Sequence, residues 1–278
     1  MQPIQLVVDS TAYLTKDMVH KWDVEVVPLK VTFEGQDADE GMPGEFAGFF
    51  ERLKTSRDFP KTSQPSVMQF VDVFERALSK GKEVLAITLS SGVSGTYQSA
   101  CMAADMVGSG VSVVDSQFGV SAVRFMVLNA MERIHAGFDL PSLAESLKKD
   151  IGRFRFNITV STLDYLKKGG RINAAAAAVG NLLNIKPIIH VNNGMLTMMD
   201  KVRGFHKALE TVVADIPETV KRISVVHISI PEMADQLMTR LRERFPNAEV
   251  AMDEIGPVVG AHIGPGALGV CFEDNEHA

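Results

Sequence analysis

Small polar residues recur in this chain, directly after short apolar runs at Asp9-Ser10-Thr11, Ser90-Ser91-Gly92-Val93-Ser94-Gly95-Thr96 and Asp115-Ser116, and between two prolines at Thr62-Ser63. A hydroxyl-rich loop between a buried strand and a helix gathers O–H groups and free backbone N–H groups at the helix N-terminus, where they can cradle a carboxylate or another anion. Plain capping of the helix by Ser94 or Thr96 is the competing account of the same residues. Convergence of these segments on one end of a sheet would join Thr62, Ser63, Ser94, Gly95 and Thr96 into one cradle. Ser94 could instead be a nucleophile, making the protein an acyl hydrolase or transferase with one of its seven histidines as base. The elbow pattern G-x-S-x-G is absent, Gly92-Val93-Ser94-Gly95 being one residue short of it. His227 lies in an apolar run and reads as a core histidine. His262 differs, because Gly260 and Gly264-Pro265-Gly266 around it imply a definite backbone path that aims the ring.

No G-x-x-x-x-G-K-[ST], no G-x-G-x-x-G after a strand and no H-E-x-x-H occurs, so neither a nucleotide loop nor a metal or other cofactor site is expected. Two arginines stand beside glycines, Arg171 in Lys167-Lys168-Gly169-Gly170-Arg171 and Arg203 before Gly204, and their planar forks suit carboxylate, phosphate or an acidic partner. They belong to a basic island. From Lys167 to Lys207 seven basic residues face the single acid Asp200, a net of +6 within a protein whose net charge is −6. The overall acidity argues against nucleic-acid binding. Cys101 and Cys271 stand apart in apolar surroundings and read as buried structural thiols. No basic leader precedes the first apolar run and no segment reaches eighteen uninterrupted apolar residues, so a cytoplasmic protein without stable membrane insertion is expected.

The elements that must position these residues are legible from periodicity. Apolar runs at 4–8, 84–89 and 111–114 read as buried strands, each ending in small polar residues and each followed by a helical pattern. Val24 to Phe33 reads as one further strand and Gly35 to Gly41 as a polar turn. Pro60 and Pro65 restrict the backbone around Thr62-Ser63 to an extended path. Such βαβ units predict a mostly parallel sheet with helices on both faces, its ligands bound at the carboxyl ends of the strands. Beyond a strand at 156–161 the pattern changes. Asn192-Asn193-Gly194 between two apolar runs signals a hairpin, because Asn-Gly supplies the positive φ angles of a type I′ turn. Helical faces at 205–216 and 233–245, a strand at 223–228 and closing strands near 248–255 and 268–273 complete a mixed sheet. The glycine-rich stretch 256–266 reads as a loop. Two α/β domains are therefore expected, residues 1–152 and 153–278, with only the run Ala174 to Ala178 standing out as low complexity.

Taken together, Asp9-Ser10-Thr11, Thr62-Ser63-Gln64-Pro65-Ser66, Ser90 to Tyr97, Gly170-Arg171-Ile172, Lys186-Pro187 and His262 to Ala267 closely resemble the motifs of the DegV family of bacterial fatty-acid-binding proteins, from first strand to last. The resemblance implies that a single long-chain fatty acid lies in a tunnel between the two domains. By motif, Thr62 and Ser94 would bond the carboxylate, with Ser63, Gly95 and Thr96 in the same loops and His262 in the supporting network. It implies as partner a separate ATP-dependent fatty acid kinase related to dihydroxyacetone kinases, which makes an acyl phosphate on the loaded protein. Arg171 and Arg203 would serve the carboxylate mouth or the kinase contact, and the protein would have no turnover of its own. Asn173-Ala174 departs from the family's usual serine or glycine followed by a base, though Asn173 can still cap a helix.

Overall fold

The computed structural model describes residues 2–172 and 184–275, so the capping role of Asn173 and the alanine run lie outside the described residues. The first sheet is parallel throughout. Its strands are β1 (Ile4–Asp9), β2 (Val24–Val27), β6 (Glu83–Thr88) and β7 (Val111–Asp115), in the order β2-β1-β6-β7. Alternate residues of β1 and β6 enter two separate cores. Val7, Val84 and Ala86 meet Phe70, Phe74 and Ala100 of the helices Val67–Leu78 and Thr96–Val107 on one face. On the other face Leu6, Val8, Leu85 and Ile87 meet Phe125, Leu143 and Leu147 of the helices Ser121–His135 and Leu140–Asp150. Burial on both sides explains why Leu6-Val7-Val8 and Val84 to Ile87 are continuous apolar runs.

The run Val24 to Phe33 is two strands, not one. Pro28 has no N–H to continue the ladder, and the chain leaves the parallel sheet there. Residues Lys30–Phe33 form β3, the centre of a small antiparallel sheet ordered β4-β3-β5 with β4 (Gln36–Asp39) and β5 (Lys61–Ser63). The polar segment read as a turn is a turn only at Glu34 and Gly35, where φ is +52° and +73°. All four residues of β4 are exposed, so the sequence carries no alternation to betray the strand. Thr62 pairs with Val31, which fixes Thr62-Ser63 as an edge strand.

The second sheet is mixed and completes a two-domain α/β architecture. Its strands are β8 (Phe154–Thr159), β9 (Ile185–Asn192), β10 (Met195–Arg203), β11 (Val220–His227), β12 (Glu249–Glu254) and β13 (Leu268–Asp274), ordered β10-β9-β8-β13-β11-β12 with only β11 and β12 parallel. Asn193 and Gly194 take the two positive φ angles of the expected hairpin turn, +48° and +76°. The helices Phe205–Ala214 and Pro231–Arg244 cover one face, through Val212, Leu237 and Leu241. The opposite face packs Phe154, Phe156 and Ile158 into the core of the parallel sheet, so one core runs between the two sheets. Residue 152 lies in the short 3-10 turn Ile151–Arg153 ahead of β8.

The stretch 256–266 is also not the loop its glycines suggest. Pro257 starts a helix, Pro257–Ile263, where its missing N–H costs nothing. Gly260 lies inside that helix because a Cβ there would come within 2.5 Å of the Phe50 ring. His262 is therefore aimed by a helix, and Gly264 and Gly266, at φ +88° and +78°, turn the chain only after it.

Candidate functional site

A cavity of about 280 Å³ opens at the carboxyl ends of the parallel strands, where the two sheets meet. Thr62, Ser63, Ser94, Gly95, Arg171 and His262 line it, together with Gln64 and a largely apolar remainder of Leu29, Leu89, Val93, Leu196, Val258, Val259 and Ile263. Five of these apolar residues, Leu89, Val93, Leu196, Val259 and Ile263, also line an adjoining apolar space of about 70 Å³ whose walls include Phe118 and Phe156. The arrangement is a polar mouth leading to an oily channel.

At the mouth, Thr62 Oγ1 lies 2.7 Å from His262 Nε2. Burial, with a smaller contribution from the nearby Arg171 charge, pushes the His262 pKa down to about 4, so the ring is neutral at physiological pH. Its Nδ1 is buried against Gly169 and has no partner among the described residues. A buried unpaired N–H is more costly than a buried unpaired lone pair, which assigns the ring proton to Nε2. Nε2–H then donates to Thr62 Oγ1, and the Thr62 O–H is free to donate into the cavity.

Across the mouth, Ser94 Oγ accepts from the Thr96 backbone N–H at 3.3 Å and lies 2.9 Å from Thr96 Oγ1. Thr96 is fully buried and opens the helix Thr96–Val107, with Gly95 at its N-cap. The helix N-terminus thus adds partial positive charge to the hydroxyls, without a formal cation. Gly95 leaves room for Gln64, since a Cβ would stand 2.3 Å from Gln64 Oε1. Gln64 Nε2 reaches on to Ser99 Oγ at 3.3 Å, tying the segment after β5 to this helix.

Of the other clusters singled out in the sequence, the carboxylates hold loops and do not line the cavity. Asp9 accepts from the N–H groups of Leu89 at 2.6 Å and Thr11 at 2.9 Å, and Asp115 from those of Ser91 at 3.1 Å and Gln117 at 2.9 Å. Both fix the turn after β6 from which Ser94 projects. Ser90 Oγ donates to the Gly194 carbonyl at 2.7 Å, so the β9–β10 hairpin tip rests on that turn. Arg171 lines the cavity half-buried, its guanidinium donating to the carbonyls of Val93 at 3.3 Å and Gly169 at 2.6 Å. Arg203 is not among the lining residues; it is exposed at the end of β10, seven residues beyond Leu196. His227 is buried in β11, as a core histidine should be. Cys271 is buried, whereas Cys101 is half-buried on the helix Thr96–Val107.

Sequence reasoning did not pick out Gln64, Glu40 or the valines 258 and 259. Gln64 stood inside the quoted Thr-Ser-Gln-Pro motif, but nothing in its spacing reveals that it fills the space above a glycine thirty-one residues on. Among the described residues no cluster of three His, Cys, Asp or Glu side chains could hold a metal ion, and no helix is long and apolar enough to cross a membrane.

The family model described as "Uncharacterised protein, DegV family" matches residues 3–275. A DegV domain-containing protein of Halalkalibacterium halodurans is 37% identical, the match covering 98% of this chain and 99% of the relative. The fold is similar to the crystal structure of a DegV lipid-binding protein from Thermotoga maritima, with a TM-score of 0.89, 33% identity and full coverage of both chains. It is equally similar to Bacillus subtilis DegV, described as a fatty acid binding protein, with a TM-score of 0.89, 32% identity and coverage of 99% of this chain and 100% of that one.

Proposed function

The chain belongs to the DegV family, and from that premise we propose that it binds one long-chain fatty acid in a tunnel between residues 1–152 and 153–278. The single observation that carries this reading is the continuity of a hydroxyl-lined mouth with an apolar space walled in part by Phe118 and Phe156. The energetics agree with it. About fourteen buried methylenes at ~0.8 kcal/mol each contribute on the order of 11 kcal/mol before ordering costs. The carboxylate buried with them must be hydrogen-bonded, and Thr62, Ser94 and the Gly95 N–H offer donors, with Thr96 supporting Ser94 from beneath. Ser63 stands beside Thr62 at the same mouth, and His262 orients Thr62.

The bound lipid is substrate for a partner. In this reading a separate ATP-dependent fatty acid kinase, related to dihydroxyacetone kinases, brings the nucleotide to the loaded protein in the cytoplasm. A carboxylate oxygen bonds to the γ-phosphorus, the bond to the bridging oxygen breaks, and ADP leaves with the electron pair while the acyl phosphate stays in the cradle. Neutral hydroxyls favour this step, since they hold the carboxylate without occupying all its lone pairs as an arginine clamp would. Arg171 then serves the mouth, and Arg203, exposed in the basic island, serves the kinase contact.

The alternative, a Ser94-dependent hydrolase or transferase, needs an imidazole on the Ser94 hydroxyl. The histidine of the cavity bonds Thr62 instead. A fluorophosphonate probe separates the two: labelling that disappears in Ser94→Ala would favour the enzyme. The direct test of the carrier is native mass spectrometry of the freshly purified protein followed by denaturation. One C14–C18 fatty acid per chain is expected, and a chain that neither carries nor takes up fatty acid refutes the proposal.

A further inference from the structure

One wall of the acyl cavity is the helix Pro257–Ile263, which contributes Val258, Val259, His262 and Ile263. What fixes the start of that helix comes from far away in sequence. Glu40, the residue after β4, is buried, and its Oε1 accepts from the Val258 backbone N–H at 2.7 Å and from the Tyr13 hydroxyl at 3.2 Å. Its Oε2 accepts from the Ser10 hydroxyl at 2.6 Å. The tie branches at both ends. Tyr13 oxygen accepts from the Val259 N–H at 3.3 Å, and Ser10 Oγ accepts from the N–H of Leu29, itself a cavity residue, at 3.1 Å. Gly256 makes room for the carboxyl, since a Cβ there would sit 2.9 Å from Glu40 Oε1.

We propose that Glu40 is a proton-linked strut: through Val258 it positions the cavity wall and, at the far end of the same helix, His262 against Thr62, so that the hold on the acyl chain follows the charge on Glu40. This rests on the fatty-acid reading of the cavity and adds a means of regulating it.

The surroundings of Glu40 make that charge easy to change. Among the described residues no lysine or arginine pairs with it, and the carboxyl that faces it, Asp9 at the end of β1, opposes its ionisation. Burial is the larger effect, and the three donors offset it only in part, so the Glu40 pKa is raised to about 7. Asp9 is itself raised by burial, and the Tyr13 hydroxyl is raised far enough to stay protonated. The helix Pro257–Ile263 presents backbone N–H groups to Glu40, and its one titratable side chain, His262, is neutral above about pH 4. Phe46, which precedes the helix Ala47–Thr55, closes the site with an apolar ring, and Glu45 beside it points out to Lys16. A separate cavity of about 210 Å³, lined by Asp9, Ser10, Asp39 and Glu40, gives a proton room to reach the carboxyl.

The direction follows from linkage. A solvated Glu40 ionises near 4.5, whereas the sealed one resists ionisation until about 7. Raising the pH through 7 therefore favours displacement of the wall, and lowering it favours the closed cavity. Lipid should leave faster from the alkaline form.

The test follows transfer of a fluorescent long-chain fatty acid from the full-length protein to acceptor vesicles at pH 6, 7 and 8. Alongside it, hydrogen exchange of amides 257–263 is measured with and without lipid and corrected for intrinsic rates. Beyond the ligand's own titration, release about tenfold faster at pH 8 than at pH 6 is expected from the wild type, and from Glu40→Gln slow release that varies only as the ligand titrates. The ligand's own titration is common to both proteins, so their ratio isolates Glu40. Tyr13→Phe removes one donor and should move the wild-type midpoint to higher pH, which keeps the test open should Glu40→Gln not fold. Identical pH profiles in wild type and Glu40→Gln, or an unshifted midpoint in Tyr13→Phe, overturn the strut. A wild type that takes up no lipid but loses amide protection between pH 6 and 8 upholds the strut and overturns the fatty-acid reading instead.

Discussion

Thr62 and His262 meet at 2.7 Å although 200 residues of chain separate them, and no bond joins either side chain to Ser94. The mouth of the cavity is thus made of two independent hydroxyl stations. One is oriented by a helix of the second half of the chain, the other by the turn that follows β6.

Because the stations are independent, Thr62→Ala and Ser94→Ala should each weaken fatty acid binding by roughly 1–3 kcal/mol, the penalty for a buried polar group left unpaired. Both bond the one carboxylate, so their effects should couple rather than add in the double variant. Displacement titrations with a fluorescent fatty acid measure all three, and unaltered affinity in both single variants would remove the site.

Gly169→Ala tests the aim of His262. The new Cβ would fall 2.1 Å from Nδ1, so the ring has to swing off Thr62. Binding should drop at least as far as in Thr62→Ala while the circular dichroism spectrum stays that of the wild type. Full retention of binding would show that the ring does not orient Thr62.

A cycle between Gly95 and Gln64 tests the opposite station. Gly95→Ala drives a methyl into the Gln64 amide and should displace the Ser94 loop; adding Gln64→Ala removes the obstacle and should restore most of the lost binding. Strict additivity of the two losses would mean that Gln64 plays no part in seating the loop.

Stability should respond to pH through two groups that act in opposite senses. His262 has its pKa lowered from 6.5 to about 4, so between those values the unfolded chain holds more protons and acidification destabilises the fold. Glu40 is raised from 4.5 to about 7; its contribution is intact below 4.5 and is lost as pH rises through 7. The two oppose each other between pH 4.5 and 6.5. Urea midpoints across pH 4–8 should rise with pH over that window in Glu40→Gln relative to wild type, and fall in His262→Gln. The same slope in both variants would contradict the assignment.

Arg203→Ala should retain its lipid and slow acyl phosphate formation when the kinase and ATP are supplied. Loss of lipid in that variant would move Arg203 from the partner surface into the binding path.

Where the sequence was readable, the reason is periodicity. The apolar runs of β1, β6 and β7, the i, i+3, i+4, i+7 spacing of Val67, Phe70, Val71 and Phe74 and the Asn193-Gly194 turn each state their structure locally. Two elements had no such signal. Strand β4 is exposed along its whole length, and the helix Pro257–Ile263 is masked by glycines whose purpose, clearing the Phe50 ring and the Glu40 carboxyl, exists only once distant segments meet. The candidate site divides the same way. Thr62, Ser94 and Gly95 stand out by type and by family motif, whereas Glu40 lies in what reads as a polar turn, because burial of an acid is a tertiary event.

The span between Thr62 and His262 also orders events in time. At roughly 5–20 residues per second, a ribosome needs on the order of 10–40 s to pass from one to the other. Throughout that interval the emerging parallel sheet has its oily channel walled on one side only, without Val258, Val259 or the imidazole that orients Thr62. In the proposed function, cargo is therefore taken up by the finished molecule, and a product that stops short of residue 257 would present Leu89 and Val93 to water, marking it for chaperones or proteolysis.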